Sequence, residues 1–160
     1  MTSRSGSASR SGTAGRPMTA TEEDFVRTLG QVMSALPRGV EQDMARAGRL
    51  PLSEYTALMH LSEAEGRTMR MSELALASNL SLSGMTRIVQ RLEKRELVAR
   101  AKCDADGRGW NAVLTDAGLA ALEDSWPVHL ASVRRRVLDH LPDEDLPRLT
   151  EVLKRIADTA

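Results

Sequence analysis

The stretch MSELALASNLSLSGMTRIVQRLEKR, residues 71–95, decides the fold. Met85, Ile88, Val89 and Leu92 recur at i, i+3, i+4 and i+7, which predicts a helix with one buried face over roughly Leu82 to Arg95. Upstream, Ser72 is placed to cap a helix running to about Ser78, and Ser78-Asn79-Leu80-Ser81 forms a turn between the two. Two helices joined by so short a turn make a helix-turn-helix. On the second of them Ser83, Thr86, Arg87, Gln90, Arg91 and Lys94 lie away from the apolar stripe, and Ser81 stands at its start. A helix of this kind fits the major groove of double-stranded DNA, where Ser and Thr bond phosphate or base, Arg forks to guanine and Gln to adenine. Small Ser83 and Gly84 open the helix, where close approach to a phosphate backbone needs little bulk.

Working outward, Leu97 to Cys103 and Asn111 to Thr115 read as two strands around the turn-forming Asp104-Ala105-Asp106-Gly107-Arg108-Gly109. This is a β-hairpin with a basic tip. Arg108 at that tip has the length to enter an adjacent minor groove, and Asp106 is placed to fix its guanidinium across the turn. Thr68 to Met71 is short and extended. Before it, Ser53 caps a helix from Glu54 to about Ala64, stopped by Gly66. Phe25, Leu29, Val32, Leu36 and Val40 mark an earlier helix that Pro37 is expected to kink or divide and that Gly48 and Pro51 end. Thr115 caps a long helix to about His140, kinked near Pro127. A last helix carries Leu146, Leu149, Val152, Leu153 and Ile156. The expected fold class is therefore mainly α with a small β-hairpin wing, a winged helix-turn-helix flanked by N- and C-terminal helices.

Composition agrees. The 160 residues suit one domain with a tail, and with one Phe, one Tyr and two Trp the core must be aliphatic and Met-rich, which favours packed helices. Net charge is zero but unevenly spread. Residues 81–110 hold seven bases against four acids, and 116–160 hold six bases against nine acids, the asymmetry of a DNA binder inside a neutral chain. Residues 1–17 hold three Arg and no acid, and are expected to form a disordered basic tail. No signal peptide and no membrane span is read, so a cytoplasmic protein is expected. The single Cys103 has no partner for an intramolecular disulfide and is read as an incidental small side chain.

These motifs together resemble the MarR family of winged-helix regulators. The residues that carry the resemblance are Leu-Ser-Glu-Tyr at 52–55, Met-His-Leu-Ser-Glu-Ala at 59–64, Met-Ser-Glu-Leu-Ala at 71–75 and Leu-Ser-x-Ser-Gly-x-Thr-Arg-x-Val-x-Arg-Leu-Glu at 80–93. Asp-x-Arg-Gly at 106–109 and Val-Leu-Thr-Asp-Ala-Gly at 113–118 complete them. The resemblance runs from about residue 20 to the C-terminus. It implies a MarR-like domain over 18–160, with a DNA-binding part at about 53–115 and dimerisation helices at about 20–48 and 116–160. It further implies a homodimer on a pseudo-palindromic operator, repression of a nearby gene, and release by a small aromatic or phenolic effector. By motif position Arg108 is the wing arginine and Asp106 orients it. Gly107 and Ala105 depart from the family pattern, which often has a charged residue and a Pro at those two places.

For the effector, His60, Trp126 and His129 leave two readings open: the lining of a cavity, or core packing with a satisfied imidazole. Three His without a ligand cluster give no metal site, and no cofactor is expected. No nucleophile with a base, paired carboxylates or phosphate loop marks an enzyme. The alternative function is a winged-helix protein-interaction module that does not bind DNA.

Overall fold

The computed structural model describes residues 16–102, 109–141 and 146–159. It divides into two compact units, one ending at Ser34 and the other beginning at Ala35.

In the first unit lies the leading part of α1 (Ala20–Arg46). Its start is a reciprocal cap: the Thr19 hydroxyl accepts from Glu22 N–H at 3.3 Å, and the Glu22 carboxylate accepts from Thr19 N–H at 2.6 Å. That backbone bond, followed by the Thr19 hydroxyl, holds the Glu22 carboxyl below its ordinary range. Phe25, Val26, Val32 and Met33 are all exposed along this stretch.

The second unit is built on α2 (Leu52–Glu63), α3 (Met71–Ala77), α4 (Leu82–Lys94), α5 (Asp116–Arg136), α6 (Leu146–Ala157) and the last turns of α1. Three antiparallel strands, β1 (Thr68–Arg70), β2 (Val98–Lys102) and β3 (Trp110–Leu114), form a sheet in the order β1-β3-β2. β3 is the middle strand, with Met69 opposite Ala112 on one side and Arg100 opposite Ala112 on the other. Of the segment expected to be extended, Thr68–Arg70 is a third strand of the wing sheet, a pairing with residues more than forty positions away that local pattern does not reveal, while Met71 already opens α3.

Leu58 and Leu61 of α2, Leu74 of α3, Met85, Val89 and Leu92 of α4, and Val98 and Leu114 of the sheet are buried together. Val40 and Met44 of α1 and Leu122 of α5 close the same cluster. The α4 stripe read from the sequence is this core face.

Several helix ends differ from the sequence reading. Pro37 does not divide α1, which runs on to Arg46. A proline removes one backbone bond, and the turns beyond it are held by the burial of Val40 and Met44. Gly48, at φ 65°, then ends the chain's helical course. Ser53 is not the cap of α2. The Pro51 carbonyl accepts from both Glu54 and Tyr55 N–H at 2.9 Å, and the freed Leu52 N–H donates to the Glu41 carboxylate of α1 at 2.7 Å. Ser72 likewise lies inside α3, whose start is closed by the Glu73 carboxylate accepting from Arg70 N–H at 3.3 Å. α5 stops at Arg136 and gives way to a 3-10 turn at Leu138–His140, short of the single helix expected to His140; it passes through Pro127. Thr115 caps it as expected, accepting from Gly118 N–H at 2.9 Å.

Candidate nucleic-acid interface

The interface begins at the α3–α4 turn. Asn79, at φ 52°, takes the left-handed conformation that lets the chain reverse, a position to which Asn is suited. Ser81 then caps α4, its hydroxyl accepting from Gly84 N–H at 3.1 Å and lying 3.2 Å from the Ser83 hydroxyl. A Cβ on Gly84 would sit 3.2 Å from that Ser81 oxygen, so the residue is small because the cap folds over it. Thr86 donates to the Leu82 carbonyl at 2.7 Å, which commits its hydrogen and leaves its oxygen as an acceptor.

Beyond the first turn, Arg87 and Gln90 are exposed. Arg87 forms no ion pair among the described residues. Arg91 is tied: its Nε donates to Glu54 at 2.8 Å, and Arg95 reaches the other oxygen of the same carboxylate at 2.9 Å. Neither Glu54 nor Arg95 is among the site residues expected from the sequence, because nothing local marks a carboxylate on α2 as the partner of arginines some forty residues later.

The wing is braced against α4. Arg100 of β2 pairs with Glu93 at 2.7 Å and lies over the Trp110 ring of β3 at 5.8 Å. Asp106 and Arg108, the expected wing-tip pair, and Cys103 lie outside the described residues.

Of the residues considered for an effector, Trp126 lines a groove of about 460 Å³ between α2 and α5, with Tyr55, Met59, Leu119 and Leu122. His129 stacks on Tyr55, ring centroids 4.4 Å apart, and Trp126 lies 6.1 Å from His129. His60 is half-buried, and neither it nor His129 is part of this groove's lining. The Tyr55 hydroxyl and His129 Nδ1 are buried with no hydrogen-bond partner among the described residues. Burial, with Glu63 second, raises the Tyr55 phenol above its ordinary range, and burial lowers the His129 imidazolium. Both groups are held neutral.

On the far side of α5, Asp43 of α1 accepts from Ser132 at 2.6 Å, Arg135 at 2.6 Å and Arg136 at 2.9 Å. The Arg136 and Ser132 hydrogen bonds keep its carboxyl well below the usual carboxylate range. This tie fixes the end of α1 on α5.

A helix-turn-helix with an exposed polar helix, closed by a three-stranded wing, defines a winged-helix regulator. Residues 50–109 match the MarR family. AbsC, a MarR family transcriptional regulator from Streptomyces coelicolor, is 41% identical, with 91% of this chain and 97% of that one covered and a TM-score of 0.82. Sco3205, a MarR family regulator from the same organism solved in complex with DNA, is 32% identical, with 92% of each chain covered and a TM-score of 0.84. The transcriptional regulator MhqR of Bacillus subtilis is 32% identical over 77 residues, 48% of this chain and 52% of that one, so the match spans about half the length of this curated relative. The chain belongs to the MarR family of transcriptional regulators. Among the described residues no helix is long and apolar enough to cross a membrane.

Proposed function

We propose that this regulator represses transcription by binding a pseudo-palindromic operator as a homodimer, with α4 of each copy in a major groove and the wing at the flanking minor groove. The observation that carries this reading is the polar face of α4, with Ser83, Thr86, Arg87 and Gln90 turned away from the core, on a fold shared with a 32% identical relative solved on DNA. Arg87 and Gln90 take base edges; Ser81, Ser83 and Gly84 lie against the backbone at the helix start; Arg108, steadied by Asp106, reaches the minor groove. A second copy covers the apolar side chains that each unit leaves in water, Phe25 and Met33 in the first and Leu149, Leu153 and Ile156 in the second.

A small aromatic or phenolic effector enters the α2–α5 groove against Trp126 and Tyr55, whose hydroxyl has no partner among the described residues, and weakens operator binding. His60 has no part in that lining.

A gel shift with the DNA flanking the protein's own gene, run beside light scattering, tests the reading. A shifted band at nanomolar dimer that survives unrelated competitor DNA supports it. A stable micromolar monomer, or retention no stronger than for unrelated duplex, overturns it.

A further inference from the structure

Glu54 stands out because its carboxylate is only 4% exposed, yet both partners are half in water, Arg91 and Arg95 each at 52%. A buried carboxylate is tolerated where it is paired and hydrogen-bonded. Here one carboxylate takes two guanidinium groups, one on each oxygen, and leaves a net charge of +1 on the surface. Arg91 spends its Nε, so both terminal nitrogens remain to donate. Arg95 spends Nη1, so Nε and Nη2 remain. Arg87, Arg91 and Arg95 follow one another at i, i+4 and i+8, a row along one face of α4 that ends on its C-cap, with successive members about 6 Å apart along the axis. Arg87 is the unpaired member of that row; the other two are held from below.

Resting on the DNA-binding reading above, we infer that Glu54 is a positioning residue that holds Arg91 and Arg95 as a ready-made phosphate grip, and that Arg95 is a DNA contact alongside Arg91. An exposed arginine loses side-chain freedom when it takes a phosphate. Two arginines already fixed on a buried carboxylate have lost most of it beforehand. The phosphate then completes the charge balance that a single carboxylate leaves open.

The inference makes a prediction of unusual sign. If Glu54 were a bystander, Glu54→Gln would remove a negative charge near DNA and tighten binding. If Glu54 holds the grip, the same change loosens it. The probes are a duplex enriched from a randomised pool by the parent protein and a random-sequence duplex of equal length, titrated across a salt series, with each variant's thermal melt recorded. Glu54→Gln is expected to weaken both duplexes alike, by about tenfold, the order of one charge-assisted contact. Arg91→Ala and Arg95→Ala should each lower the slope of log affinity against log salt by about two per dimer, roughly 0.9 for each phosphate contact on two subunits. Adding Glu54→Gln to the double Arg variant should change nothing more. Arg95→Ala, at a half-exposed position, decides the matter should Glu54→Gln fail to fold. Unaltered or tighter binding by folded Glu54→Gln, an unchanged salt slope for Arg95→Ala, or losses confined to the enriched duplex each overturn the grip. A parent protein that enriches no duplex overturns the DNA-binding reading itself, which is a separate result.

Discussion

Replacing Gly118 by Ala tests how tightly the start of α5 is seated on the winged-helix unit. Gly118 lies in the first turn of α5, beneath the Thr115 cap. A Cβ built there sits 2.7 Å from Leu114 Cδ1 and 3.0 Å from the Leu97 carbonyl carbon, and closer still to the Leu97 carbonyl oxygen. Leu114 can turn aside. The Leu97 carbonyl cannot, because it begins the path into β2 and accepts from Thr115 N–H at 3.3 Å. Overpacking against backbone costs up to about 3 kcal/mol, and replacing a helical Gly by Ala returns at most about 1 kcal/mol. The difference is about 2 kcal/mol of lost stability, and for a chain of this length it lowers the melting temperature by about 4 to 8 °C. Circular dichroism melts measure it. Gly30→Ala is the control, since a Cβ there meets nothing within 4 Å, and it should melt at or above the parent. A Gly118→Ala protein that melts no lower than its parent would refute the close seating of α5 on the α4–β2 connection.

Three other outcomes are expected. Arg87→Ala should cost about 1 to 3 kcal/mol per half-site and relax base preference at one symmetric operator position, whereas Arg108→Ala should chiefly reduce the salt dependence; quantitative binding to base-substituted operators separates them. Asp43→Asn should lower the melting temperature at neutral pH. Because the folded Asp43 carboxyl titrates below its ordinary value of 3.8, the parent's advantage should hold above that value and close as the pH falls below it, in melts recorded from neutral to acid pH. Tyr55→Phe removes a buried hydroxyl that has no partner and should leave the melt unchanged or raised. The same variant should blunt any effector-induced change in Trp fluorescence.

Much of this was legible in the sequence where the signal was local and periodic. The α4 stripe of Met85, Ile88, Val89 and Leu92 is the core face, the Thr115 cap is in place, and the MarR resemblance holds. Of the two misplaced helix starts, only that of α2 rests on a distant residue. Ser53 and Ser72 have the chemistry of caps, but α2 is closed by Glu41 reaching across from α1, and α3 by Glu73 from within. A side chain eleven residues away leaves no mark in a local window. The same holds for Asp43, whose partners Arg135 and Arg136 lie 92 and 93 residues on, and for Glu54 beneath α4. Of the three residues read for an effector, Trp126 lines the α2–α5 groove, His129 stacks on Tyr55 beside it, and His60 lies outside the lining. Tyr55, which joins them, stood only in the Leu-Ser-Glu-Tyr motif of the family resemblance.

The strand order carries a consequence for specificity. β1 delivers the chain into the helix-turn-helix and β2 receives it, and both pair with β3, so entry at Arg70 and exit at Val98 are pinned two strand spacings apart across the sheet and three residues apart along β3, about 14 Å. Everything from Met71 to Leu97 hangs between these two fixed points. Its outward residues other than Arg91, Glu93 and Arg95, which tie it to α2 and β2, are therefore free to vary without shifting either anchor. A recognition segment from another winged-helix regulator with the same two anchors and the same ties to α2 and β2 should be exchangeable as a cassette, carrying its own operator preference onto an unchanged scaffold.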